Sequence, residues 1–366
     1  MEPAVQQSRA PETPARARSR GAPSIADVAA VAGVSTQTVS RVSTGYSGVR
    51  PETRDKVMEA MRQVGYVPNS AARALKHGTF RTIGIIAHQL ARTGESRTVE
   101  GVVEAARQAG YGVTLADVRT PTSHDVSAAA AGLASMAIDG VVIIRAESTA
   151  PETLSIPSHV PVVVSDSHFV GHHPAVATDQ HAGTVMAVNH LLDLGHRTVT
   201  HLAGPEDSLP AAERLSAWQE ALEAAGRPVP APHHGDWSAQ SGYEVGQTIA
   251  GLVLSGQTSA VFCANDQMAL GLYRALYERG LRIPDDVSVV GFDDIPESAH
   301  LWPPLTSVAQ DFRRIGQRLV DLLLDQIRTG DQPEERVLLP VELMVRASVG
   351  PAPDQGPAPD QARGRP

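Results

Sequence analysis

Residues 35–42 (STQTVSRV) set Thr36, Gln37, Ser40 and Arg41 around two valines, Val39 and Val42, at helical spacing. These polar types suit the edges of base pairs in a major groove. Arginine pairs with guanine O6 and N7, glutamine with adenine N6 and N7, and threonine or serine reaches base edges or phosphates. A second set of reactive groups closes short apolar runs: Asp166 after VPVVV, Asn265 and Asp266 in SAVFCAND, Asp293 and Asp294 in VSVVGFDD. Open α/β sheets hold ligands at such strand ends. Asp166 and Asp293 could formally supply the two carboxyls that glycoside hydrolysis needs. There is no GxSxG elbow and no glycine-rich phosphate loop. His172, His173, His181, His190, His196, His201, His233 and His234 follow no HExxH or zinc spacing, so no metal or cofactor is expected. Cys263 sits in an apolar run and reads as an inert buried thiol.

The elements that must carry these residues change character along the chain. Ile25, Val28, Ala29 and Ala32 share one helix face, opened by Ser24 and Asp27 as a capping box and ended by Gly33. Ser35 opens the second helix. Pro51 begins a third, whose inner face is Val57, Ala60, Met61 and Val64 and which stops at Gly65. Helix, tight turn, helix is a helix-turn-helix pattern. From residue 80 onward, runs such as IGII, VTLA, GVVII and TVTHLAG alternate with helical stretches, which predicts parallel sheets covered on both faces. There are enough strands for two stacked α/β subdomains.

Composition narrows the class. Of 366 residues 42% are apolar, so the chain as a whole folds, while one cysteine excludes a disulfide framework. The longest apolar stretches are about as short as Val160 to Val164, too short for a membrane span. Aromatics at 4% argue against a stacking platform for single strands. The net charge of −9 is uneven: residues 1–78 hold 11 basic and 6 acidic side chains, the remainder 20 and 34. A basic end on an acidic body suggests a polyanion-binding module. Residues 1–22 and 351–366, rich in Pro and Ala, read as a disordered arm and tail.

The stretch IADVAAVAGVSTQTVSRV through VRPETRDKVMEAMRQVGYVPNSAARALKHGTFRTIGII resembles the headpiece of the LacI/GalR family of bacterial repressors. The resemblance continues in GDWSAQSGYEVG, CANDQMALG, VSVVGFDD and PPLTSVAQDFRRIGQ, and spans roughly residues 24–348. It implies a helix-turn-helix headpiece at 23–68, a hinge helix at 69–78, and a periplasmic-binding-protein-like core at 79–350. That core would comprise two doubly wound parallel-sheet subdomains, about 79–178 with 312–339 and about 179–309 with 340–350.

By that resemblance Thr36, Gln37 and Arg41 read bases, with Thr38 and Ser40 beside them. Leu75 stands where the hinge inserts a leucine wedge into the minor groove, a device that kinks the duplex. Two positions depart from the family: Thr44 replaces an asparagine and is expected to weaken a helix-end contact, and Arg50 replaces a polar cap and is expected to add a phosphate contact. Asp166, Arg214, Trp237, Asn265, Asp293 and Gln310 are implied around the cleft between subdomains. Carboxylates, amides and a guanidinium fork match paired sugar hydroxyls, and Trp237 or Phe312 offers a face for the apolar side of a pyranose. Asp294 is expected to be structural.

The implied protein is not an enzyme but a homodimeric, cytoplasmic, nucleoid-associated repressor. It binds pseudo-palindromic double-stranded operator DNA and is released by a mono- or disaccharide. The alternatives are a purine-type corepressor, an unregulated sugar-binding module, or a carbohydrate-active enzyme. The leucine-free tail argues against a zipper-built tetramer.

Overall fold

Ser24 opens helix α1 (Ile25–Ala32) reciprocally: its hydroxyl accepts from the Asp27 N–H, and the Asp27 carboxylate accepts from the Ser24 N–H at 2.8 Å. Two backbone donors that the helix itself leaves unpaired are thereby satisfied. Gly33, at φ +64°, ends α1 in the left-handed region that a side chain resists. Helix α2 (Thr36–Ser43) begins at Ser35, whose hydroxyl accepts from the Thr38 N–H at 3.1 Å. Helix α3 (Pro51–Val64) has Pro51 in its first turn and no side-chain cap from Arg50. Val28, Ala29, Ala32, Val39, Val42, Val57, Ala60 and Met61 form the small core of this three-helix unit.

The computed structural model describes residues 23–67, 79–118, 123–144, 160–165, 173–331 and 335–353. The arm 1–22, the hinge 69–78 with Leu75, Asp166 and all but the first three residues of the tail lie outside them. The backbone divides between residues 78 and 79 into two units, of which the second is the larger.

The second unit holds two six-stranded sheets. The first is built from β1 (Thr82–His88), β2 (Gly112–Val118), β3 (Gly140–Ile144), β4 (Val162–Ser165), β5 (Ala175–Thr178) and β11 (Arg336–Leu339), in the order β11-β5-β4-β3-β1-β2. The second has β6 (Thr200–Ala203), β7 (His233–His234), β8 (Ala260–Cys263), β9 (Ser288–Asp293), β10 (Thr306–Ala309) and β12 (Glu342–Met344), in the order β12-β10-β9-β8-β6-β7. Every pairing is parallel except β10 with β12.

Helices α4 (Thr93–Gln108), α5 (Ser123–Ser135) and α10 (Phe312–Thr329) belong with the first sheet. Helices α6 (Gln180–Asp193), α7 (Leu209–Ala224), α8 (Ala239–Leu254) and α9 (Asp266–Glu278) belong with the second. The chain passes between the sheets three times: from β5 into α6, from β10 into α10, and from β11 into β12. Among the described residues no helix is long and apolar enough to cross a membrane.

Burial on both faces, expected of every strand, holds for the central ones but not for β2. That strand has β1 as its single neighbour, and Leu115 faces solvent. An edge strand lacks the cover that a central one receives.

Candidate functional site: a reading helix and a polar cleft

In the first unit the candidate reading surface is open. Thr36, Gln37, Arg41 and Arg50 are exposed, and Thr38 and Ser40 are half-buried. The Thr38 hydroxyl lies 2.9 Å from the Ser35 hydroxyl, so it is shared with the cap of α2. Thr44, the position expected to weaken a helix-end contact, stands at the C-terminal end of α2. Its hydroxyl donates to the Ser40 and Arg41 carbonyls at 2.9 and 3.1 Å and closes α2. The Arg41 guanidinium lies over the Tyr46 ring, 5.5 Å from its centre.

In the second unit the polar groups are buried and joined. Arg214, on α7, is 1% exposed. Its Nε donates to the Gln180 side-chain oxygen at 2.8 Å, its Nη1 donates to the Ala264 carbonyl, and its Nη2 lies 3.6 Å from the Asp293 carboxylate. Its plane lies over Phe292 at 3.7 Å and Trp237 at 5.5 Å. A buried guanidinium is tolerable only with such partners, because its charge has left water. Gln310 closes the ring: it accepts from the Gln180 amide at 3.2 Å and donates to Asp293 at 2.6 Å. Asp293 ends β9 at φ +106°, a backbone conformation that a residue with a side chain rarely adopts. Gln180 escapes sequence reasoning. It opens α6 directly after the crossover from β5, a strand too short and alanine-rich to register.

Trp237 is buried, at φ +76°, and its indole N–H has no hydrogen-bond partner among the described residues. Asn265 caps α9 by accepting from the Met268 N–H at 2.9 Å and holds the Trp237 carbonyl at 3.0 Å. Its visible work is therefore to fix the tryptophan loop. Asp266 accepts from the Ile295 N–H and from the hydroxyls of Ser298 and Ser307. Burial, with the charge of Asp293 adding to it, pushes its carboxyl up to about 7. Asp294 pairs with Arg346 at 2.7 Å, a structural contact.

A pocket of about 190 Å³ lies against Asp293, Gln310 and Phe312, with Arg97 and Glu100 of α4 across from them. It lies where groups from both sheets meet. A larger groove of about 350 Å³ between α4 and α10, lined by Glu104, Gln108, Arg313, Arg314 and Gln317, holds none of the candidate residues. Among the described residues no cluster of His, Cys, Asp or Glu is placed to hold a metal ion. His201 instead stacks on Phe262 inside the second sheet, where burial lowers its pKa to about 3.

Residues 24–69 match the model of bacterial regulatory proteins of the lacI family, and residues 188–349 match that of the periplasmic binding protein-like domain. The lactose operon repressor of Escherichia coli (strain K12) is 37% identical over 322 residues, covering 87% of this chain and 89% of that one. The chain belongs to the lacI family. A crystal structure of the Lac repressor dimer bound to operator and the anti-inducer ONPF has a TM-score of 0.78 at 34% identity, covering 90% of this chain and all of that one. A complex of the transcriptional regulator CelR with cellobiose has a TM-score of 0.66 at 32% identity, covering 89% and 99%. The two-part architecture is that of the family, whose members are DNA-binding transcriptional regulators rather than enzymes.

Proposed function

We propose that this regulator represses transcription as a homodimer on a pseudo-palindromic operator, in the cytoplasm at the nucleoid, and that a mono- or disaccharide releases it. The observation that carries the effector reading is the buried Trp237 N–H left without an acceptor beside the Arg214–Gln180–Gln310–Asp293 ring. A sugar hydroxyl supplies an acceptor for that N–H and a donor for Asp293. A pocket built this way penalises analogues that lack a hydroxyl. The CelR–cellobiose complex supports the same class. Asp166 and Phe312 complete the proposed site, and Leu75 in the hinge is the proposed minor-groove wedge.

The homodimer has support in the second unit. Trp302 is 93% exposed, and the Tyr273 hydroxyl donates to the neighbouring Pro303 carbonyl at 3.2 Å. Tyr273 itself is buried, and Tyr277, one turn further along α9, is exposed. Exposed aromatic side chains such as Trp302 and Tyr277 suit an interface with a second copy of the chain, and the similar Lac repressor is a dimer on its operator. Release is then a population shift: the sugar must bind the DNA-free arrangement better than the DNA-bound one.

The test is a melting-temperature screen of the full chain against sugars and purines. A saccharide at about 100 times its Kd adds about 2.7 kcal/mol, a shift of several degrees. Trp237→Phe, which removes only the unpaired N–H and part of the ring, should weaken that shift. A response to purines alone would make the ligand a corepressor of that class, and silence with both would end the effector reading.

A further inference from the structure

We propose that Tyr46 is a specificity-determining positioning residue, whose ring holds the Arg41 guanidinium in the orientation from which it reads a base pair. The inference rests on the reading of Arg41 as a base contact. Tyr46 follows the end of α2 and is 54% exposed, so it is not a member of the headpiece core. Yet it is fixed on three sides. Its N–H donates to the Arg41 carbonyl at 2.9 Å, and its own carbonyl accepts from Arg54 Nη2 at 3.0 Å. Its ring folds back over Gly48, where a Cβ would overlap the ring edge. With the backbone tied and the ring seated on a glycine, its face is presented to Arg41, whose guanidinium carbon is 5.5 Å from the ring centre.

That distance is within the range of attraction between a cation and an aromatic face. A cation held over an aromatic face spends no carbonyl or carboxylate partner, so the guanidinium N–H groups remain to pair with guanine O6 and N7. A long, solvent-exposed arginine otherwise loses much rotamer freedom when it binds. A ring that restrains it beforehand lowers that loss for the correct pair and offers nothing to a wrong one. The ring therefore sharpens preference at the base pair that Arg41 reads and leaves the phosphate contacts untouched.

The experiment selects operator sequences from a randomised double-stranded DNA library with the full-length protein and with four variants. R41A should abolish preference at one base pair in each half-site. Y46A and Y46L should lower the preference at that same pair about two- to fivefold, with the other positions and the non-specific affinity unchanged. Y46F keeps the ring and should behave as the unsubstituted protein. Melting of each variant checks that the headpiece is folded. If R41A changes its pair while Y46A or Y46L keeps full preference there, the role of the ring is overturned and base reading by Arg41 stands. Uniform loosening at every position by Y46A also overturns it. If R41A leaves the selected sequence unchanged, the base-reading assignment fails and the inference falls with it.

Discussion

The two candidate recognition surfaces of this chain are built in opposite ways. On the headpiece, Thr36, Gln37, Arg41 and Arg50 stand in solvent above a core of eight small and medium side chains. In the cleft, Arg214, Gln180, Gln310 and Asp293 are buried and hydrogen-bonded or ion-paired to one another. The difference matches the proposed partners. A duplex brings a dense row of charged acceptors, and affinity arises largely from counterion release, so the protein side can stay hydrated until contact. A small neutral ligand brings only a few hydroxyls, so the protein must hold its polar groups in place beforehand. Damage to the cleft should therefore cost folding, and damage to the reading helix should cost binding alone.

The largest effect should come from Arg214→Ala. It leaves the Asp293 carboxylate and the Gln180 oxygen buried without the guanidinium, and removing one partner of a buried pair costs about 3–5 kcal/mol. Denaturant unfolding of the second unit should show a loss of that size, together with loss of the sugar response. Arg214→Lys should be only a partial rescue, since a single ammonium cannot reach all the acceptors that the fork serves. If Arg214→Ala unfolds at the same denaturant concentration as the parent, the ring does not stabilise the core.

A second effect tests whether Asp266 is held protonated beneath the cleft. Asp266 ordinarily ionises near 3.8, but in the fold it keeps its proton up to about 7. Between those values the folded state binds more protons than the unfolded one, so the contribution of this group is complete below about 3.8 and is lost as pH rises through about 7. The stability of the parent, measured relative to Asp266→Asn, should therefore fall from pH 4 to pH 7 and level off above. Exposed carboxylates held low by arginines, such as Glu104 beside Arg107, titrate alike in both proteins and cancel. A difference that is flat with pH would show that Asp266 is ionised throughout.

The same contrast governs what the sequence discloses. Caps and stops are local, so Ser24 with Asp27, Gly33, Pro51 and Gly65 mark the headpiece helices directly. Runs such as GVVII announce central strands because those are buried on both faces. By contrast β5 (AVAT) and β10 (TSVA) are short and carry small or hydroxylated residues, and their burial comes from neighbours distant in sequence. With β5 hidden, Gln180 has no strand end to mark it. Arg214 is implied at the cleft by the family resemblance, while spacing alone leaves it an ordinary helix arginine until α7 is docked beside β6 and β8. Asn265 shows the reverse case. An asparagine just before a helix is a legible cap, and the cap is the work that its oxygen performs.

The smallest expected effect on folding, and so the sharpest test of the headpiece side, comes from comparing Arg41→Ala with Arg50→Ala. Both side chains are exposed, and neither change should move the melting of the headpiece by more than about 0.5 kcal/mol. Their effects on DNA should differ in kind. Arg41 is on the outer face of α2, opposite the buried Val39 and Val42, where a groove-filling helix presents its base contacts. Its loss should cost about 1–3 kcal/mol against the preferred base pair and relax selectivity there. Arg50 precedes α3 and offers no side-chain cap to it, so its charge is free to meet a phosphate. Its loss should weaken all sequences alike and reduce the slope of log affinity against log salt by about one. Titrations of both variants on matched and mismatched duplexes at several salt concentrations separate the two. Equal weakening of every duplex by Arg41→Ala would remove it from base reading. An unchanged salt slope for Arg50→Ala would mean that the arginine in place of the usual cap gains no phosphate in exchange.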